Sequence, residues 1–392
     1  MARQRVVVIG AGIVGACTAL AAAQAGCEVT VVDRGQPASG TTSRGEGNVL
    51  VSDKPPGPEL DLALLSRWLW DDLAAQLGAH RLELEAKGGL VVAREPAAYD
   101  ALVSLASAQT AAGVQTAPLT NPRSIEPHLA AGLAGGVYYP QDAQVQPVLA
   151  TAAILAEAQR LGARLRPGCL VVTAQHARAG AITGITLDTG EQLPADTVVN
   201  AAGTWGGAVG ALLGAPVPVL PRRGFVLVTE PLPPRTIRHK VYSADYVANV
   251  AASTEDLQTS CVVESTQAGP VLIGASRERV GFDATLDPAI VTRLARQAVE
   301  LFPMLADVQL LRAYRGFRPY CPDHLPVIGP DPRVPGVLHA CGHEGAGIGL
   351  APATGALIAA YLAGDDPAAL GLDPTHFLPD RLLSAPIEEP TQ

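Results

Sequence analysis

Aromatic residues make up only 4% of this 392-residue chain and charged residues only 17%. So little charge beside 48% hydrophobic residues excludes a disordered chain and supplies a large core. The net charge of −9 is spread along the sequence with no basic stripe, so no nucleic-acid partner is expected. Cysteine is scarce. Cys17, Cys27, Cys169, Cys261, Cys321 and Cys341 lie far apart, with no C-x-x-C pair. That spacing offers no zinc or iron–sulfur ligand set, so no metal site is expected, and it suits free thiols in a reducing cytosol. No apolar run reaches the ~20 residues of a membrane span. The apolar stretch behind Arg3 and Arg5 is broken by glycines and a charged strand, without a convincing cleavage site after it. These absences lead to the expectation of a soluble, cytoplasmic protein long enough for two domains.

Glycine, by contrast, is plentiful, and its first cluster is spaced as G-x-G-x-x-G at Gly10, Gly12 and Gly15. Four β-branched residues, Val6-Val-Val-Ile9, precede it and read as a strand buried on both faces. Small helix-forming residues follow from Ala16 to Ala25. In that setting Gly10 permits a tight turn, Gly12 lets the backbone approach a pyrophosphate, and Gly15 brings the helix close to the strand. A second strand, Glu28-Val-Thr-Val-Val-Asp33, ends on an acid eighteen residues after Gly15, placed to hold the two hydroxyls of a ribose. Strand, turn, helix and acid together point to a dinucleotide site. Beyond Asp33, the loop through Arg34, Thr41, Thr42, Ser43, Gly47 and Asn48 is rich in small residues and hydroxyls. Its place after the second strand makes these residues candidate nucleotide contacts, against the alternative of a plain surface loop.

Further on, Leu60 to Leu77 carries apolar residues at helical spacing, and Trp68 reads as core. Strands are expected at Gly88–Ala93, Val171–Thr173, Ile182–Leu187 and Asp196–Asn200. The last runs into Ala201-Ala-Gly203-Thr-Trp205, a second glycine turn expected to face the first, and Val171, Gly203 and Trp205 join the candidate cofactor contacts. Val219 to Arg318 alternates like an antiparallel sheet, interrupted by a helix from Pro288 to Phe302. A final strand leads into Gly342-His-Glu-Gly-Ala-Gly-Ile-Gly349 and a last helix. Crowded N–H groups at such a helix start stabilise negative charge, so Gly345, Ala346, Gly347, Ile348 and Gly349 are expected against an electron-accepting ring. His343 is kept among the candidate active-site residues without a proton-transfer role, as Glu344 is without any assigned role. Arg315 and Arg318 are the nearest cations, and a planar guanidinium suits a substrate carboxylate, the alternative being an ion pair with Asp323 or Glu344. Tyr246 is a candidate cover for the substrate, or simply a core or surface tyrosine.

These motifs together resemble the D-amino acid oxidase superfamily of FAD-dependent amine and amino-acid oxidoreductases. The closest echoes are Gly274-Ala-Ser-Arg-Glu-Arg-Val-Gly-Phe-Asp283, Phe317-Arg318-Pro with Pro322-Asp323, and Gly342 to Gly355. Within it, Arg44-Gly-Glu-Gly-Asn-Val-Leu-Val-Ser-Asp53-Lys is similar to the β subunits of heteromeric opine oxidases, D-hydroxyproline dehydrogenases and hydrogen cyanide synthase. The resemblance implies an α/β plus antiparallel β fold: a three-layer Rossmann-type FAD-binding domain with a central parallel sheet, and a second, antiparallel-sheet substrate domain. The expected division is 1–85, 146–220 and 319–370 for FAD, 86–145 and 221–318 for the substrate domain, and 371–392 as a tail. It also implies hydride transfer from a C–N carbon to flavin N5, with Arg318 gripping the substrate carboxylate. Gly316 and Ser43-Arg44 stand where relatives carry covalent flavin anchors, so FAD is expected to be non-covalent. Leu272 stands where some oxidases carry an oxygen-activating lysine, which leans towards a dehydrogenase. Implied partners are a larger flavoprotein-like subunit and a small [2Fe–2S] subunit. A free-standing glycine- or sarcosine-type oxidase, and a flavin subunit without amine chemistry, remain alternatives.

Overall fold

The computed structural model describes residues 3–245 and 254–383. Its organising strand is Arg5–Ile9, whose last four side chains are all buried. Neighbours Glu28–Asp33 and Thr197–Asn200 run parallel to it on either side, extended by Arg164–Pro167 beyond the one and Val337–Cys341 beyond the other. Val327–Pro330 closes the six-stranded sheet as an antiparallel edge. Because successive side chains in a strand point to opposite faces, the sheet feeds two cores. Val6 and Val8 pack under helices, whereas Val7 and Ile9 meet a three-stranded antiparallel sheet of Val171–His176, Ile182–Leu187 and Gln192–Pro194. Burial on both faces is what four β-branched residues in a row require.

Helix Ile13–Gln24 leaves the first strand through the glycine turn and packs on the last long helix, Gly347–Ala363. Gly355 makes that contact close: a Cβ there would stand 2.7 Å from the Cys17 carbonyl oxygen. The beginning of the chain and the start of its last long helix therefore open on the same side of the sheet.

The second, eight-stranded sheet runs in the order Leu310–Tyr320, Leu220–Pro231, Pro270–Arg277, Gln258–Ser265, Lys240–Ser243, Gly89–Ala93, Gly135–Tyr139, Ala117–Leu119. Its pairings are antiparallel except for Lys240–Ser243 with Gly89–Ala93. Helix Pro288–Leu301 covers one face through Ile290, Leu294, Ala298 and Leu301, a single stripe at helical spacing. Asp287 caps it by accepting from the Ala289 N–H, with Pro288 in the first turn.

Trp68, expected in the core, lies on the surface. Helix Pro58–Leu77 exposes Trp68 (64%) and buries Trp70 completely. The indole N–H of Trp70 donates to the Gly349 carbonyl at 3.1 Å, and the Ser66 hydroxyl donates to the same carbonyl at 2.6 Å. The helix thus fixes the first turn of the last long helix. Among the described residues, no helix is long and apolar enough to cross a membrane.

Candidate active site

The two glycine turns and the C-terminal loop line one cavity, which runs from Asp33 to Arg318. Gly10 has φ +116°, and a Cβ on it would overlap the Ala201 carbonyl oxygen, so turn one fits turn two only through a bare glycine. Gly12 caps helix Ile13–Gln24 with no side chain of its own and lines the cavity. Ala346 likewise caps Gly347–Ala363 with no side-chain bond. Two helix N-termini therefore face one cavity, each bringing the positive end of its dipole. Asp33 accepts from the Ala11 N–H (2.8 Å) and the Gly35 N–H (2.7 Å), which aims its carboxylate along the cavity wall. Thr42 accepts from the Ile13 N–H at 3.1 Å, while Thr41 and Thr204 both donate to the Phe317 carbonyl. Those bonds tie the loop and the second turn to strand Leu310–Tyr320.

Of the residues singled out from sequence, Gly10, Gly12, Asp33, Arg34, Thr41, Thr42, Asn48, Val171, Gly203, Trp205, Arg318, His343, Gly345, Gly347 and Ile348 line the cavity. Arg34 stacks on Trp205, with its guanidinium carbon 3.9 Å from the ring centre. Gly15, Ser43, Gly47, Ala346 and Gly349 lie behind that lining. A Cβ on Gly15 would overlap the Gly10 carbonyl, one on Gly47 the Val145 carbonyl, and one on Gly349 would press on the Asn48 carbonyl at 3.2 Å. These positions let segments approach each other rather than a ligand. Tyr246 lies outside the described residues.

At the far end Arg318 donates to the Ser276 carbonyl at 2.8 Å beside Gly345. The two ion-pair partners considered from sequence are engaged elsewhere: Asp323 with Arg381, and Glu344 with Arg222. Burial raises the Glu344 carboxyl, and His324, Arg222 and Arg277 outweigh that, holding it below the usual carboxylate value. His343 is 4% exposed and its Nε2 meets the Thr354 hydroxyl at 2.9 Å. Burial lowers its pKa from 6.5 to about 3, so the ring is neutral at ordinary pH. Strand Pro270–Arg277 presents Ala275 to the cavity, not Leu272, and Gly316 lines it against the Arg44 side chain.

Sequence reasoning passed over a cluster of buried charge at this end. Lys240 and Glu264 are paired at 3.2 Å on neighbouring strands, with side chains 1% and 0% exposed. Glu46 stands 3.4 Å from the same ammonium and lines the cavity. Lys87 lies 3.8 Å from the other side of Glu264. The available signal was Gly45-Glu46-Gly47, a lone acid between two glycines in a loop already assigned to the nucleotide. Among the described residues, no group of acids, histidines and cysteines could hold a metal ion.

A parallel sheet with a glycine cradle at its strand ends, capped by a second sheet, defines a dinucleotide-dependent oxidoreductase. The chain belongs to the FAD-dependent oxidoreductase family (DAO), whose model matches residues 5–361. The hydrogen cyanide synthase subunit HcnC of Pseudomonas protegens is 31% identical over 268 residues, 68% of this chain and 60% of that protein. The chain spans about half to three fifths of the length of several curated relatives it matches. The glycine oxidase of Geobacillus kaustophilus is 28% identical over 366 residues, 91% of this chain and 92% of that enzyme. Its crystal structure superimposes with a TM-score of 0.84 over 98% of this chain and 100% of that one, at 27% identity. L-proline dehydrogenase from P. horikoshii shares the fold, with a TM-score of 0.87 over 98% and 99% of the two chains at 23% identity. The residues present fit FAD. The bare backbone at Gly12 and the helix start behind it would hold the pyrophosphate, Asp33 the ribose hydroxyls, and the Gly347 helix end would lie against the ring.

Proposed function

We propose that this chain is an FAD-dependent dehydrogenase of a secondary-amine amino acid, of D-hydroxyproline or opine type, and the catalytic β subunit of a heteromer. The observation that carries this reading is Arg318, a guanidinium lining the end of the cavity where the C-terminal loop meets the second sheet. There it holds a substrate carboxylate by a planar fork. Bound FAD supplies a two-electron acceptor for the hydride on the substrate's α-carbon. The Gly347 helix end, with no side chain capping it, places its N–H groups where negative charge accumulates. His343 stays neutral and fixed to Thr354, so it moves no proton. The amine binds neutral, and its lone pair assists departure of the α-hydrogen.

Support for a partnered enzyme comes from the similarity to a hydrogen cyanide synthase subunit and from the scattered cysteines, which hold no cluster for passing electrons on. The partners proposed are a larger flavoprotein-like subunit and a small [2Fe–2S] subunit. A second reading, a free-standing oxidase releasing hydrogen peroxide, is favoured by the near full-length match to glycine oxidase. Anaerobic mixing of the FAD-loaded chain with a panel of D- and L-amino acids and opines tests the reaction. Flavin bleaching by a carboxylate-bearing amine is expected, with Arg318→Met raising the half-saturating concentration on the order of 100-fold. No bleaching by any member contradicts the amine reading. Peroxide yield against dye reduction in air then separates oxidase from dehydrogenase.

A further inference from the structure

We infer that Glu46 receives the amine of the substrate while Arg318 receives its carboxylate, so that the two side chains together gauge an α-amino acid. The inference deepens the amino-acid reading above and rests on it. Glu46 is 7% exposed and lines the cavity. One of its carboxylate oxygens is occupied: Oε2 accepts from the Asn48 amide at 3.1 Å and faces the Lys240 ammonium at 3.4 Å. The other, Oε1, is buried and has no hydrogen-bond partner. Buried polar atoms are almost always satisfied, and one left over at a cavity wall calls for a donor that arrives with the ligand.

The second sheet shows why that donor belongs on the same molecule that Arg318 holds. Glu46 Oε1 rests against Gly274, and Arg318 Nη1 rests against Gly224; a Cβ on either glycine would overlap the group above it. Strands Leu220–Pro231 and Pro270–Arg277 pair antiparallel, with Leu227 opposite Ile273. Continuing that register sets Gly274 opposite Val226, two residues along from Gly224. Gly224 and Val226 both line the cavity, so both glycine seats lie on the same face. Two residues along a strand and one strand across amount to about 8 Å between the seats. An α-amino acid spans the same gap. A hydrogen bond of about 2.8 Å at each end adds to an internal oxygen-to-nitrogen distance of similar length, again about 8 Å.

The chemistry fits that placement. A neutral primary or secondary amine donates its N–H to Glu46 Oε1. As the α-hydrogen leaves with its electron pair for FAD, the C–H bond breaks, a C=N bond forms and nitrogen becomes positive beside the carboxylate. The interaction therefore strengthens towards the transition state, which is where it accelerates the reaction. A tertiary amine, which in its neutral form has no N–H to give, loses this contact.

The test uses the full-length FAD-loaded chain and two ligands of one shape, proline and tetrahydrofuran-2-carboxylate, whose ring oxygen replaces the amine. Binding is followed by perturbation of the flavin spectrum and by calorimetry, and reduction by anaerobic mixing. Glu46→Gln is expected to slow reduction by proline, or by the best secondary amine of the panel, at least tenfold. It should also weaken the amine's binding, while affinity for the ether stays within about twofold. Glu46→Asp, which keeps the charge one methylene short, is expected to fall between. Unchanged amine binding and reduction in Glu46→Gln overturns the inference, as does equal loss of amine and ether, or a loss of FAD affinity instead. If the wild-type chain is neither reduced by any amine nor binds the ether, the amino-acid reading itself falls and this inference with it. That pattern differs from a wild type that is reduced and a Glu46→Gln that matches it.

Discussion

The two ends of the cavity are built by opposite means. At the nucleotide end the wall is backbone: Gly10 and Gly12 carry no side chain into the turn, and Asp33 is held by two amides. At the substrate end the wall is bordered by buried charge, with Glu46, Lys240 and Glu264 on one side and Arg222 with Glu344 on the other. On the proposed function, the first end recognises a ligand by close approach and helix dipoles, so it fails when a side chain is added. On the same proposal the second recognises by charge, so it fails when a side chain is taken away. A buried pair of ions contributes little over an apolar pair of the same shape, but removing one partner leaves the other unpaired in a medium that cannot solvate it.

Substitutions sharpen this contrast. The largest effect is expected from Gly10→Val, which pushes a branched side chain into the Ala201 carbonyl at a φ of +116°. The purified chain should be colourless, and measured flavin content near that of the wild type would break the backbone account. Next comes Lys240→Met, which removes the ammonium between Glu264 and Glu46 and leaves Lys87, 3.8 Å away, beside Glu264. A loss of about 3–5 kcal/mol in urea unfolding is expected, with part restored by adding Glu264→Gln. A third test concerns pH. The unfolded chain protonates His343 below about 6.5, whereas the folded chain resists until about 3, so this residue lowers stability as pH falls through that window. His343→Gln should flatten that part of the stability profile relative to wild type, and leave the pH dependence of flavin reduction above pH 6.5 unchanged. The smallest effect is expected at the nucleotide end. Trp205→Ala removes the ring under Arg34, at a cost of about 1 kcal/mol, roughly fivefold in FAD affinity by equilibrium titration.

The same contrast explains what the sequence disclosed. Gly10, Gly12, Gly15 and Asp33 fall within a short span, and their spacing carries the geometry because one strand, one turn and one helix connect them. Gly203 and Gly347 were legible for the same reason, each closing a strand-to-helix turn. The substrate end has no such local grammar. Glu46, Arg222, Lys240, Glu264 and Glu344 come from five distant segments and meet only after the second sheet has formed. Facing failed in a different way at Trp68. Helix Pro58–Leu77 has apolar residues around most of its girth, so its pattern did not reveal that Trp70 faces inward and Trp68 outward. Alternating apolar residues predict an antiparallel second sheet, and the parallel join of Lys240–Ser243 to Gly89–Ala93 depends on strands some 150 residues apart in the chain.

The central claim is that the opening turn and the last long helix close on one FAD without a covalent link. Heat-denatured, unproteolysed protein should release its flavin into the supernatant at one FAD per chain, and apoprotein should take up one equivalent again. Flavin that stays with the pellet, or a chain that binds none, would contradict it.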